Sequence, residues 1–229
     1  MPDAAAPHVT SARRAFLLMA GLVGLAGLLI QAHVTWHLGV SRGWSAAATV
    51  AKYLSYFTLL TNILLAASSL IGAIAPESRA GTFVHKPATA SALLVYISIV
   101  GIVYVLVLAG LWHPQGLQWW ADGILHYATP LLWAAYWITF VPKVRQPWSN
   151  PFGWLIYPAL YLIWALIYGT ITGHYPYPFL DVKALGVGRV ALAIVSMTAT
   201  FLIVGWLVIS FSRAIASRRQ PPYDQARLR

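Results

Sequence analysis

Thr58 and His126 are the two residues whose types and positions could support nucleophilic chemistry together. A threonine hydroxyl is a weak nucleophile and needs an adjacent base that removes its proton. A neutral histidine side chain, which ordinarily titrates near neutral pH, is suited to that task. We therefore consider Thr58 as a candidate nucleophile and His126 as its general base, on the condition that the fold brings them together.

The composition indicates that both residues belong to a membrane protein. Of the 229 residues, 59% are hydrophobic and only 9% are charged, and the mean hydropathy is +0.70. A soluble domain has roughly 25% charged residues, so this chain has too little polar surface to fold in water. The chain also has no cysteine, which excludes disulfides, thiolate nucleophiles and cysteine-based metal sites.

Six apolar stretches predict an all-α, polytopic protein with six transmembrane helices, because each is close to the length of about 20 residues that crosses a bilayer. Pro130 and Pro158 lie inside the fourth and fifth stretches and predict kinks, since proline removes a backbone donor. The predicted six-helix domain covers residues 15–212, between tails at 1–14 and 213–229. The predicted spans are Ala15–Leu38, Lys52–Ile74, Ala88–Leu111, Gly123–Val141, Gly153–Thr172 and Arg189–Phe211.

The distribution of Lys and Arg predicts that both termini are cytoplasmic, because cytoplasmic loops carry an excess of these residues. With the N-terminus inside, eleven of the 15 fall in inner segments and four in outer segments. This charge bias accounts for the basic character of the chain, so we expect no nucleic-acid partner. The four outer residues are Arg42, Lys52, Lys183 and Arg189.

The topology places Thr58 and His126 at similar depths below the outer surface. Thr58 is six residues into the second predicted span, or roughly 9 Å, and His126 is about four residues into the fourth, or roughly 6 Å. Ser55, Thr58 and Asn62 are spaced i, i+3 and i+7, which puts them on one helical face. A hydroxyl and an imidazole on two helices could therefore meet near the outer surface.

Other polar residues near the outer surface support different chemistry. His33 and His37 are spaced i, i+4, a spacing that can hold one metal ion. Together with outer His and Asp side chains they could form a zinc site, although histidine also serves as a simple interfacial anchor. A zinc-dependent membrane hydrolase therefore stays open as an alternative, and so does a small-solute transporter. The possible partners of the pair are His126, His174, Asp122 and Asp181.

Three segments together resemble the six-span androgen-induced-protein-like family, which includes the androgen-dependent regulator of tissue factor pathway inhibitor. The segments are residues 52–62 (KYLSYFTLLTN), 125–130 (LHYATP) and 172–181 (TGHYPYPFLD). The short loops are similar to those of its bacterial branch. The resemblance extends from the second span to the sixth, and the Tyr-Pro-Phe-Leu run at 177–180 is its most specific part.

The resemblance implies a membrane threonine hydrolase that cleaves fatty acid esters of hydroxy fatty acids. It assigns the nucleophile to Thr58 and the base to His126, whereas alignment on Lys52-Tyr53-Leu54 would move the nucleophile to Ser55. We therefore expect a lipid ester from the bilayer as substrate, membrane lipids as surroundings, no cofactor and a location in the cell membrane.

Supporting roles are expected for several neighbours of the pair. Asn62 could donate to the oxyanion or orient Thr58. Asp122 or Asp181 could orient His126. His174 and Tyr177 are expected to shape an outer lid.

Overall fold

The computed structural model describes residues 10–111 and 113–218, and the regular structure of this part of the chain is entirely helical. Two π-helical segments occur: Tyr104–Leu108 extends α5, and Ile124–Ala128 joins α6 to α7. Short 3-10 helices cover Ala109–Leu111 and Pro178–Leu180. The α-helices are α1 (Ser11–Ser41), α2 (Ala46–Tyr53), α3 (Phe57–Ile74), α4 (Arg79–His85), α5 (Pro87–Val103), α6 (Leu117–Gly123), α7 (Thr129–Phe140), α8 (Asn150–Trp154), α9 (Ile156–Thr172) and α10 (Val182–Arg218).

Within the described residues, five helical stretches are long and apolar enough to cross a membrane. The fourth predicted span, Gly123–Val141, is helical over most of its length but does not belong to this group. His126, Thr129 and the neighbouring Trp and Tyr side chains make this stretch more polar than the others. The five are Ser11–Ser41, Phe57–Ile74, Pro87–Leu111, Asn150–Thr172 and Val182–Arg218.

The first and last helices, α1 and α10, extend beyond the predicted boundaries of the six-helix domain. Helix α1 begins at Ser11, where Thr10 caps it by accepting a hydrogen bond from the backbone N–H of Arg13. Helix α10 continues to Arg218. The predicted tails at 1–14 and 213–229 therefore contribute a few residues to these helices, and the rest of both tails lies outside the described residues.

The predicted start of the second span, at Lys52, is wrong, because a turn interrupts the helix between α2 and α3. The break exposes backbone carbonyls that an apolar environment would leave without a donor. Side chains of α9 supply those donors. The hydroxyl of Tyr161 donates to the carbonyl of Ser55 at 2.9 Å, and the indole N–H of Trp164 donates to that of Leu54 at 2.9 Å.

The two prolines lie beside helix irregularities, as expected from the donor each removes. Pro130 follows the π segment, in which the N–H of Thr129 bonds the carbonyl of Ile124, five residues back. Pro158 lies just after the turn between α8 and α9 and cannot bond the carbonyl of Trp154. The hydroxyl of Tyr96 donates to that carbonyl instead, at 2.7 Å.

Helix α5 is the most enclosed helix and packs against α3, α7 and α10. Helix α1 packs against α3 and against the α6–α7 segment, through a face that includes Gly21, Gly24 and Gly27. Small residues let membrane helices approach closely. Of these three glycines Gly27 makes the closest approach, because an added Cβ there would lie 2.6 Å from Cγ2 of Ile124 in the π segment.

The outer surface carries many large apolar side chains, including Leu29, Leu131, Ile171 and Val187, each of which is at least 61% exposed. Exposed apolar surface of this extent is unfavourable in water but favourable against lipid. Together with the long apolar helices, it identifies a membrane-embedded helical protein.

We predict that Gly27→Ala lowers stability by about 1–3 kcal/mol, because its methyl group would overpack the contact with Ile124. Thermal unfolding in detergent measures this change. Gly188→Ala in α10 is the matched control, because an added Cβ there meets no atom within 4 Å. Equal melting temperatures for the two variants would contradict the packing argument.

Candidate active site

Thr58 and His126 lie in contact, as the depth argument predicted. The Oγ1 atom of Thr58 is 3.3 Å from Nε2 of His126. Thr58 is the second residue of α3, so its position is fixed by the break before that helix. His126 lies at the centre of the π segment Ile124–Ala128. Each side chain therefore projects from an irregular part of a buried helix, and π segments are common at functional sites.

Asp122 fixes which nitrogen of His126 carries the proton. The Nδ1 atom of His126 lies 3.2 Å from the backbone carbonyl oxygen of Asp122 and 3.2 Å from its Oδ1. Both neighbours are acceptors, so Nδ1 is the protonated nitrogen of the neutral ring. The lone pair of Nε2 then faces Thr58 and can accept the proton of the hydroxyl. This tautomer is the one that a general base requires.

Tyr104 holds both His126 and Asp122 in place. Its ring stacks on the imidazole, with centroids 4.0 Å apart and planes inclined by 20°. Its hydroxyl donates a short hydrogen bond to Oδ2 of Asp122. Asp122 is only 4% exposed, and its Oδ1 has no hydrogen-bond partner within the described residues. Because Oδ1 lies 3.2 Å from Nδ1 of His126, its charge can stabilise the imidazolium that forms when His126 takes a proton.

Tyr177 reaches Thr58 from the opposite side. It belongs to the segment 173–181 between α9 and α10, which we call the lid. The backbone N–H of Thr58 donates to the Tyr177 hydroxyl at 3.3 Å, and that hydroxyl is also 3.4 Å from Oγ1. Burial raises the pKa of Tyr177 above its ordinary value, while its hydrogen bonds to Thr58 oppose the shift. The hydroxyl therefore keeps its proton at neutral pH and can act as a donor.

The lid is packed tightly against the bundle. The rings of Tyr177 and Phe179 stack 5.2 Å apart, and Tyr175 lies so close to Gly169 that a Cβ there would be 2.1 Å from it. Gly173 ends α9 with a φ of 76°, a left-handed conformation that glycine adopts without strain. These contacts hold the Tyr177 hydroxyl in a fixed position beside Thr58.

Asn62 joins the two irregular segments. Its amide group donates to the carbonyl of Thr58 at 2.8 Å and to the carbonyl of Leu125 at 3.2 Å. Its Oδ1 accepts from the hydroxyl of Thr129 at 2.6 Å. Both amide hydrogens are therefore occupied, which corrects the expectation that Asn62 donates to an oxyanion. Asn62 instead orients the first turn of α3 relative to His126.

Two cavities meet at Thr58. The first has a volume of about 210 Å³, lies between α3, α5, α9 and α10, and has no charged residue in its lining. The second has a volume of about 330 Å³ and lies beside α1, α6 and the lid. Its lining includes Gln31, Lys52 and Gln118 in addition to Asp122 and His126. Three residues line both cavities, namely Thr58, Leu108 and Tyr177.

Ser55, the alternative nucleophile, does not line either cavity. It is fully buried in the turn before α3, and its hydroxyl donates to the carbonyl of Lys52 at 2.8 Å. Alignment on the Lys-Tyr-Leu run therefore selects a residue whose hydroxyl is occupied by a local backbone bond.

Two other predicted supporting residues lie apart from the Thr58–His126 pair. Asp181 caps α10, where its Oδ1 accepts from the backbone N–H groups of Lys183 and Ala184 at 3.0 Å. The Nδ1 atom of His174 contacts the carbonyl of Thr172 at 3.0 Å. Neither residue lines a cavity, so of the two predicted lid residues only Tyr177 reaches the site.

The predicted metal-binding pair, His33 and His37, has no third ligand beside it within the described residues. His33 and His37 are adjacent, with ring centroids 4.4 Å apart, and both are exposed. In the part of the chain that the structure describes, no three His, Asp, Glu or Cys side chains are placed to hold one metal ion. The ligand set proposed for zinc is therefore not assembled around this pair.

Tyr104 and Thr129 are members of the site that the sequence analysis missed. A tyrosine within an apolar predicted span is a usable signal, because its hydroxyl needs a partner when it is buried. Thr129 directly precedes Pro130, and its hydroxyl lies 3.2 Å from the carbonyl oxygen of Leu125 in its own helix, a local bond that its residue type predicts. The bond to Asn62 depends on a contact between helices that is distant in sequence.

Comparison of the chain with protein-family models, curated proteins and solved structures finds no match in any of the three.

Proposed function

We propose that this protein is an ester hydrolase of the cell membrane that acts on long-chain lipid esters, with Thr58 as nucleophile and His126 as general base. The observation that carries the proposal is the 3.3 Å contact between Oγ1 of Thr58 and Nε2 of His126, beside residues that line two cavities. The resemblance to membrane threonine hydrolases favours the same reaction, with fatty acid esters of hydroxy fatty acids as the implied substrates.

In the proposed acylation step, Nε2 of His126 takes the proton of the Thr58 hydroxyl while Oγ1 bonds to the ester carbonyl carbon. The tetrahedral intermediate collapses and breaks the bond to the alcohol oxygen, which leaves with the proton held on Nε2. This step forms an acyl-threonine. Water then attacks the acyl carbon as His126 takes its proton, and the proton passes to Oγ1 when the fatty acid departs.

The negative charge of the tetrahedral intermediate requires donors close to Thr58. The Tyr177 hydroxyl is one candidate, because it lies 3.4 Å from Oγ1 and stays protonated. The first backbone N–H groups of α3 are further candidates, since the first turn of a helix has no intrahelical acceptors for them. The N–H of Thr58 donates to the Tyr177 hydroxyl in this structure, so these two donors lie side by side. An oxyanion bound next to Oγ1 could accept hydrogen bonds from both of them.

Asp122 and Tyr104 support His126 during the proposed reaction. When His126 becomes an imidazolium, the carboxylate of Asp122 beside Nδ1 stabilises its charge. The stacked ring of Tyr104 keeps the imidazole facing Thr58. The arrangement has the roles of a nucleophile, a base and an orienting acid, which recur in hydrolases of unrelated folds.

The proposal includes six membrane crossings with both termini on the cytoplasmic side. The segment from α6 to α7 is the crossing that is added to the five long apolar helices. It is proposed to cross the membrane because it extends between the same two ends of the bundle as α1. At one end Gln118 donates to Gln31 at 2.7 Å, and at the other Arg13 donates to Tyr136 at 2.9 Å. The excess of Lys and Arg in the inner segments supports the orientation.

Thr58→Ala and His126→Ala should each reduce the hydrolysis of a long-chain ester by at least about 100-fold, because each removes a group that takes part in proton transfer. Initial rates with purified protein in detergent measure the effect. Ser55→Ala should keep its activity and its labelling by a fluorophosphonate probe, whereas Thr58→Ala should lose both. Wild-type rates in the Thr58 and His126 variants would contradict the assignment.

Tyr177→Phe should lower kcat by about 10- to 1000-fold if its hydroxyl stabilises the oxyanion. KM should change little, since the phenyl ring keeps its packing in the lid. Phe179→Leu is the control, because it alters lid packing without removing a donor. An unchanged kcat in Tyr177→Phe would eliminate Tyr177 as an oxyanion donor.

Single cysteines placed before and after the α6–α7 segment test whether this segment crosses the membrane. The natural chain has no cysteine that would interfere. Gln115→Cys should react with a membrane-impermeant maleimide on intact cells, and Arg145→Cys should react only after permeabilisation. Both positions are exposed in the structure. Equal labelling of the two positions on intact cells would contradict a crossing between them.

A further inference from the structure

The two cavities that meet at Thr58 differ in chemistry, and the following inference rests on the proposed ester hydrolysis. The first cavity is lined by apolar side chains such as Ile99, Met197 and Phe201, without a charged residue. It suits the acyl chain of an ester. The second cavity contains the general base and the polar residues Gln31 and Gln118, and it suits the arm that leaves as the alcohol.

Lys52 is the single Lys or Arg residue that lines the second cavity. Its ammonium lies 4.7 Å above the ring of Tyr56, which packs edge-on against Tyr177. Lys52 is in the last turn of α2, where the helix dipole favours a cation. The positive charge is therefore held at the wall of the cavity that also contains Thr58 and His126.

No ion pair joins Lys52 to a carboxylate within the described residues. Asp122, the acidic residue in the lining of this cavity, already bonds Tyr104 and faces His126. Burial lowers the pKa of Lys52, and the nearby charge of Arg42 lowers it further, while Tyr168 opposes the shift. Two neighbouring cations without a paired carboxylate favour the binding of an anion.

The amides of Gln31 and Gln118 form a neutral polar wall in the same cavity. Nε2 of Gln118 donates to Oε1 of Gln31 at 2.7 Å, and Nε2 of Gln31 lies 3.3 Å from Oε1 of Gln118. Nε2 of Gln31 also donates to the hydroxyl of Thr35 at 3.2 Å. These amides are bonded to one another, so Lys52 is the group of this cavity best placed to bind a charged group of the ligand.

We propose that Lys52 binds a carboxylate on the alcohol arm of the substrate while the acyl chain occupies the apolar cavity. Lys52 is then a specificity-determining residue that selects acidic esters over neutral ones. The assignment also fixes the direction of the substrate, because the carboxylate and the leaving oxygen must share the cavity that contains His126.

A pair of substrates that differ in one charge tests this proposal. One is the palmitoyl ester of a hydroxystearic acid, and the other is the methyl ester of the same compound. The release of palmitate is measured in a neutral detergent, so that no anionic lipid competes. The kcat/KM of the free acid should exceed that of the methyl ester by about tenfold or more, as expected for a hydrogen bond to a charged group.

Variants of Lys52 connect this preference to the proposed residue. Lys52→Met should bring the ratio of the two kcat/KM values close to one, Lys52→Arg should keep the preference, and Lys52→Gln provides a second neutral variant. Lys183→Met is the control, because Lys183 is an outer cation that lines neither cavity. A Lys52→Met or Lys52→Gln variant that keeps the preference of the natural protein would overturn the proposal.

Binding to Thr58→Ala separates this inference from the proposed hydrolysis. The free acid should bind this variant about tenfold more tightly than the methyl ester, and the added Lys52→Met change should remove the difference. Such binding without turnover in the natural protein would reject the hydrolase and keep the carboxylate site. Equal affinities for the two compounds would reject the carboxylate site even if the protein hydrolyses both.

Discussion

The constraint on which this structure depends is that backbone polar groups inside a bilayer need partners within the protein. Each break in a buried helix frees a carbonyl, and a side chain from another helix takes it. Tyr96 bonds the carbonyl of Trp154, Tyr161 bonds that of Ser55, and Asn62 bonds that of Leu125. The irregular segments are thus held by hydrogen bonds from side chains of other helices.

The same irregular segments form the candidate active site. A continuous second span would have placed Thr58 inside a helix, whereas the interruption before α3 places it in the first turn of a helix, where its N–H has no intrahelical acceptor and bonds the Tyr177 hydroxyl. The π segment before Pro130 carries His126 and presents its imidazole to Thr58. Helix irregularity therefore positions both proposed catalytic groups, and Asn62 links the segments that carry them.

The surroundings of Thr58 divide the site into an apolar and a polar side. Tyr177 and Leu108 lie between the two cavities together with Thr58. An ester with two arms fits this division, because its carbonyl carbon would sit between them. The polar side contains Lys52, whose charge lacks a carboxylate partner in the described residues. The proposed specificity and the proposed chemistry therefore depend on residues that line the two cavities on either side of Thr58.

The sequence by itself determined the membrane-embedded helical character, because apolar runs of this length need a bilayer. It also placed Thr58 and His126 at similar depth, since helical rise converts residue number into distance. It could not determine that Asn62 has no free donor, that Ser55 is occupied, or that Tyr104 stacks on His126. The Asn62 and Tyr104 contacts join separate helical segments, such as the bond from Asn62 to the carbonyl of Leu125, 63 positions away. The bond of Ser55 to Lys52 is local, but it forms only because a turn replaces a continuous helix before α3. Only the packing of the helices decides which of these side chains meet.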